Sequence, residues 1–134
     1  MECPHCSNSL VTLEFSRIEV DYCYECKGIW LDSGELEYLF ALEGRDDRYV
    51  RTMETAHVRE KGKRCPLCRK VMEKIFIGVS EKVLLDRCKV HGLWFDRGEL
   101  KKLLASSCAE GRESPLVRLL DEMFAAQKSD GRCL

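Results

Sequence analysis

The chain has 134 residues, with 22 Lys/Arg, 23 Asp/Glu and nine cysteines, for a formal charge of −1. That length allows one domain or two very small ones, and modules so small bury too little apolar surface to be secure without a metal or disulfides. No apolar run approaches the roughly 20 residues that span a bilayer, and a near-neutral chain is not, as a whole, a basic nucleic-acid binder.

The chain opens on a ligand pair, Cys3-Pro-His-Cys6. Leu10–Phe15 and Arg17–Tyr22 then alternate apolar and polar residues, the period of half-buried strands, and a turn near Ser16 makes them a hairpin. A second pair follows, Cys23-Tyr-Glu-Cys26, and then Trp30-Leu-Asp-Ser-Gly-Glu-Leu36. Within it Asp32-Ser-Gly-Glu35 reads as a helix start, with the aspartate as cap and the glutamate at N3. Leu36, Leu39 and Phe40 share one face of that helix, and Gly44 is its expected stop. Residues 45–63 are a charged linker, with Tyr49, Val50, Met53 and His57 loosely at the spacing of a weak helix.

The pattern then repeats. Cys65-Pro-Leu-Cys68 precedes a hairpin of Val71–Ile77 and Lys82–Asp86, joined by Gly78-Val-Ser-Glu81, and Cys88-Lys-Val-His91 closes the set. Trp94-Phe-Asp-Arg-Gly-Glu-Leu100 leads into a second helix with Leu100, Leu103 and Leu104 on one face and Gly111 as its stop. Matching stripes predict one fold for both copies and contact between them through the helices. The tail predicts a further helix: Ser114 as cap, Pro115 in the first turn, then Leu116, Leu119, Leu120, Met123 and Phe124 on one side. The expected fold is a small metal-stabilised α+β, two tandem zinc ribbons each followed by a short helix, plus a C-terminal helix. Its parts are residues 1–44, the linker 45–63, residues 64–111 and the tail 112–134.

Cys3, Cys6, Cys23 and Cys26 form one ligand set, and Cys65, Cys68, Cys88 and His91 a second. Two knuckles with a hairpin's length of chain between them have the spacing of a four-coordinate zinc site. Redox pairs share the C-x2-C motif, but they need a βαβ setting that is not visible here. The odd cysteine count, the ligands three apart and His91, which cannot form a disulfide, all favour metal. Iron in a rubredoxin-like cage suits only the first set; zinc suits both. Two zinc ions per chain are expected, both structural, because four protein ligands leave no position for activated water. No Ser–His–carboxylate set, phosphate-binding glycine loop or H-E-x-x-H is present, so no catalytic residue, other cofactor or small-molecule substrate is expected. Free thiols suit a reducing cytoplasm, and Cys3 lies too near the start for a cleaved leader to precede it.

Around the ligands, Trp30 and Trp94 are expected to shield the metals and brace the helices. Asp21 and Asp86, each two residues before a ligand, are placed to brace a knuckle by hydrogen bonding. His5 should face solvent, and His57 is incidental. Cys108 is expected to be half-buried and Cys133 a free thiol in a frayed terminus.

Charge is split along the chain. Residues 1–60 carry 6 Lys/Arg against 13 Asp/Glu, and residues 61–134 carry 16 against 10. Lys61, Lys63, Arg64, Arg69, Lys70 and Lys74 straddle the third knuckle. They form either a solvated face or a surface that tracks phosphates, with little aromatic interleaving to stack bases.

The string C-P-x-C…D-x-C-x-x-C/H-x-G-x-W-x-D-x-G-E-L, present at 3–40 and 65–104, resembles the TFIIB-type (transcription factor) zinc-finger domain of small prokaryotic proteins. It departs from that pattern at His91 and in the residue missing before Trp94. The resemblance implies zinc-ribbon folds and a transcription-related role. The expected function is a non-enzymatic zinc-binding module that engages a protein partner through ribbon and helix faces. The alternatives are a nucleic-acid-binding factor using the basic second ribbon and, more remotely, a thiol-redox or metal-handling protein.

Overall fold

The computed structural model describes residues 1–46, 48–79, 82–106 and 114–123. In chain order its elements are β1 (Val11–Phe15), β2 (Ile18–Tyr22), β3 (Ile29–Asp32), α1 (Glu35–Leu42), α2 (Arg48–Arg51), β4 (Glu54–Thr55), β5 (Glu73–Ile77), β6 (Val83–Cys88), β7 (Gly92–Phe95), α3 (Glu99–Ser106) and α4 (Pro115–Met123). The alternating segments pair as expected, β1 with β2 and β5 with β6, both antiparallel. Ser16 and Arg17 both take positive φ, 48° and 71°. That conformation suits the twist of a two-residue hairpin turn. The longer turn of the second hairpin includes Ser80 and Glu81, outside the described residues.

Each copy adds a strand that the sequence pattern did not reveal. β3 and β7 follow the second knuckle of each copy, and they pair with each other. Trp30 lies opposite Trp94, Ile29 opposite Phe95 and Leu31 opposite Leu93. This register is symmetric about the tryptophan pair, so the copies are related by an approximate dyad through it. All seven strands form one sheet in the order β1-β2-β3-β7-β6-β5-β4. The expectation that the copies meet through their helices is therefore corrected. They join strand to strand, because the backbone groups of β3 and β7 would otherwise remain unpaired next to a buried core.

The sheet separates two cores. On one face Ile18, Val20, Ile29, Leu31, Ile75, Leu85, Leu93 and Phe95 are covered by the helices. The predicted stripes Leu36/Leu39/Phe40 and Leu100/Leu103/Leu104 all point into this layer, joined by Leu116, Val117 and Leu120 of α4. The opposite face carries the tryptophans and the ligand cysteines.

Helix starts differ from the expected caps. Gly34, at φ 90°, precedes α1, and no side chain caps it. Asp32 Oδ1 instead accepts the indole N–H of Trp30 at 2.9 Å, and Glu35 Oε1 accepts the Asp32 N–H at 3.0 Å. The second copy repeats both bonds at 2.9 Å, from Trp94 to Asp96 and from the Asp96 N–H to Glu99. A buried indole N–H needs an acceptor, and the aspartate two residues along the strand is the one in reach.

Burial pushes the Glu99 carboxyl up to about 7, although the Asp96 N–H opposes the shift. The folded chain thus holds a proton between about pH 4.5 and 7 that the unfolded chain has lost, so this group's contribution falls as pH rises through that window. Glu99→Gln, which stays neutral, should gain in Tm relative to the parent chain on going from about pH 5 to about pH 8. The difference between the two proteins cancels the pH dependence that metal binding itself brings. An unchanging difference across that range contradicts the assignment.

The linker holds the short α2 and then β4, which pairs with β5 at the sheet's edge. Gly44, at φ 66°, ends α1 as expected. Ser114 Oγ accepts the Val117 N–H at 3.2 Å, the expected cap, and also donates to Glu43 Oε2 at 2.9 Å. Glu43 in turn holds Arg45 at 2.7 Å, and Arg45 donates to the Leu104 carbonyl at 2.9 Å, so α1, α3 and α4 are tied at one corner. Leu119, expected on the buried side, is only half-buried; Val117 takes that place. Cys108, Gly111, Phe124 and Cys133 lie outside the described residues. Among the described residues no helix is long and apolar enough to cross a membrane.

Candidate metal centres

Each ligand set is assembled by a turn, a hairpin and a second turn. In the first knuckle the Ser7 N–H bonds back to the Cys3 carbonyl at 2.9 Å, and in the third the Arg69 N–H does the same to Cys65 at 2.8 Å. The residue after the second cysteine is left-handed in three knuckles: Ser7 at 67°, Lys27 at 65° and Arg69 at 68°. In the fourth, Gly92 directly follows His91 with φ 150°, and its approach to the Leu31 carbonyl leaves no room for a side chain. The residue missing from the second copy is accommodated there.

The hairpins then bring the turns face to face. Cys3, Cys6, Cys23 and Cys26 converge with their sulfur atoms all within 4.8 Å of one another, and so do the donor atoms of Cys65, Cys68, Cys88 and His91. Cys3–Cys26 and Cys6–Cys23 sulfurs are 3.5 and 3.3 Å apart, and Cys68–Cys88 sulfurs 3.9 Å. A tetrahedral zinc with Zn–S of about 2.3 Å calls for sulfurs about 3.8 Å apart. His91 turns Nδ1 inward, 3.4 Å from the Cys88 sulfur and 3.7 Å from that of Cys65. All eight predicted ligands are thus brought together as the two predicted sets.

The electrostatics also fit a cation. Burial pushes the Cys26 and Cys65 thiols up, and Cys3 still further. Backbone N–H groups aim at the sulfurs from His5 at 3.3 Å, Cys6 at 3.4 Å and Leu67 at 3.4 Å. The N–H groups around Cys6, that of Asn8 foremost, hold its thiol down to about 7. Such donors stabilise thiolate, whereas burial opposes it; a divalent ion at the centre resolves the conflict. Thiolates, with one imidazole in the second set, make a donor group that fits zinc. Metal analysis of protein purified without added metal should return close to two equivalents of zinc per chain. One equivalent, or mostly iron, contradicts that occupancy.

Trp30 and Trp94 are fully buried and lie in one cluster with Cys3, Cys23, Cys65 and Met72, flanked by Leu10, Cys6, Cys26, Cys68 and Cys88. They shield both metal positions and, through Asp32 and Asp96, reach the helix starts. Trp94 also crosses to the other copy, since a methyl group on Gly28 would collide with its ring. The sequence reading missed Gly28 and Met72; the glycine two residues before each tryptophan was the available signal.

Asp86 does brace a knuckle, accepting the Lys63 N–H at 3.3 Å, two residues before Cys65, as well as the Lys74 ammonium at 3.2 Å. Asp21 instead bonds Thr12 on the neighbouring strand. Burial there pushes the Asp21 carboxyl up, against the pull of the Thr12 hydroxyl. His5 and His57 are exposed. Of the six predicted surface cations, Lys74 is buried on Asp86 and Glu60, Lys63 lies 3.1 Å from Asp96, and Arg69 pairs with Glu2 at 2.9 Å. Lys61, Arg64 and Lys70 are exposed.

Residues 2–42 match the family model described as transcription factor zinc-finger. The match spans the first copy, and the cluster at residues 65–91 is consistent with a tandem arrangement. Comparison with curated proteins and with solved structures found no match.

Proposed function

We propose that this chain is a non-enzymatic interaction module, built from two zinc ribbons with structural zinc, that presents rigid faces to a protein partner in a transcription-related, cytoplasmic setting. The observation that carries the reading is the completeness of both ligand sets. Four protein donors converge on each centre, which leaves a bound ion no open position for substrate or activated water. What remains for the metals to do is to stiffen a sheet whose covering helices and knuckles carry the outer surface of the molecule. The transcription setting rests on the family match over residues 2–42 alone.

Affinity capture with the zinc-loaded chain, washed at low and at high salt, tests this. Recovery of one protein partner that persists after nuclease treatment, and is lost from metal-stripped bait, is the expected result. Binding to DNA or RNA that falls steeply with salt would favour the nucleic-acid reading instead. That reading has less support, because two of its six cations, Lys63 and Lys74, are already held by partly or wholly buried carboxylates of this chain.

A further inference from the structure

A groove of about 440 Å³ lies between the first knuckle of each copy. Its volume falls within the range of binding clefts. The walls are built from equivalent positions: Cys3 and Pro4 face Cys65 and Pro66, Glu2 corresponds to Arg64, and Ser7 to Arg69. The two copies differ at these places. Glu2 becomes Arg64, Ser7 becomes Arg69, and Ser9 becomes Val71, which is 58% exposed in the groove wall. Lys61 and Lys63 add to the same side.

Four cations therefore line the groove against the single carboxylate of Glu2. Lys63 is fixed on Asp96, but Lys61 is exposed, and Arg64 uses one nitrogen on the Arg69 carbonyl at 3.0 Å and keeps the rest of its guanidinium free. The Arg69–Glu2 pair spans the groove with both side chains more than half exposed, so an incoming carboxylate can exchange with Glu2. Beside these charges stand the exposed Val71 and the half-buried Pro4, and Leu67, also exposed, follows the buried Pro66. Among the described residues no aromatic ring lines the groove, so these offer no platform on which bases could stack.

We infer that this groove binds an acidic segment of a partner protein in which Asp or Glu alternates with aliphatic side chains. The carboxylates meet Lys61, Arg64 and Arg69, and the aliphatic groups rest on Val71 and Pro4. The inference rests on the interaction-module reading above and names the face and the chemistry of the partner.

The test is selection of random linear peptides, displayed on phage, against the zinc-loaded full chain. The enriched sequences should combine Asp/Glu with Leu, Val or Ile. Their affinity should fall at least about tenfold for Lys61→Glu/Arg64→Glu, and Val71→Ser should weaken them further. Lys102→Glu, an exposed position on α3, should change nothing. Zinc content and thermal unfolding of each variant show that the fold is retained. Peptides without acidic enrichment, or acidic peptides indifferent to the double charge reversal, overturn the groove while leaving an interaction module with its site elsewhere. If the same double variant instead abolishes binding of a single-stranded oligonucleotide, and no peptide is selected, the groove belongs to phosphate and both readings fall.

Discussion

Removing the metal from either centre should unfold both copies together. Cys23→Ser and Cys65→Ser are each expected to abolish the amide dispersion of the whole chain in an NMR spectrum, not of one copy. Apparent binding free energies of structural zinc in zinc-finger peptides are about 10–16 kcal/mol. The total stability of a small domain is about 5–15 kcal/mol. Losing one ion therefore removes about as much as the fold possesses. Independence of the copies would still confine the damage, as the modular sequence suggests. The shared layer argues otherwise: cysteines of both sets pack on the same two tryptophans, and β3 is paired with β7 along its length. Titration with a chelator should give one transition in which signals of residues 11–22 and 73–88 disappear in parallel. Retention of either hairpin's dispersion after the other's metal is lost would refute the coupling.

The second large effect is expected at Trp94. Replacing a buried Trp by Ala costs about 3–5 kcal/mol, enough to consume much of the stability of a domain this size. Here the loss should also reach the first copy, since the Trp94 ring lies on Gly28, immediately beyond the Cys23–Cys26 knuckle. Trp30→Ala should behave alike, and the double variant should lose less than the two single losses combined, because both rings belong to one buried cluster. Denaturant midpoints of the zinc-loaded proteins measure this. Strict additivity would mean that the rings do not act as a unit. Gly28→Val, which adds bulk against the same ring, should also destabilise, by about 1–3 kcal/mol.

What could be read from the sequence was what local pattern encodes. Ligand spacing picked out the eight residues that converge in two clusters, strand alternation placed both hairpins, and the i, i+3, i+4 stripes placed the helices and their buried faces. β3 and β7 escaped because their residues are buried on both faces, so Ile29-Trp-Leu and Leu93-Trp-Phe show no alternation. The two strands come from opposite halves of the chain, and nothing in either segment signals the other. Asp32 and Asp96 were misassigned because D-x-x-E has the form of a capping box; the claim of the indole N–H on that carboxylate arises only once the tryptophan is buried. The cation cluster suffered similarly. Lys63, Arg69 and Lys74 looked free because their partners are distant in sequence: Asp96 just past β7, Glu2 in the other copy and Asp86 on β6.

The dyad between Trp30 and Trp94 also bears on valency. Two identical chains meeting through such a strand pair would form a C2 dimer, and any patch on one would be displayed twice. Covalent fusion releases the two halves from that constraint. Arg64 can stand where its counterpart is Glu2, and Lys102 on α3 where α1 carries an exposed Tyr38. Each surface then occurs once per molecule. If the proposed partner binds one of these surfaces, the internal symmetry adds no avidity, and the expected complex is one-to-one with a defined polarity that a homodimer could not supply.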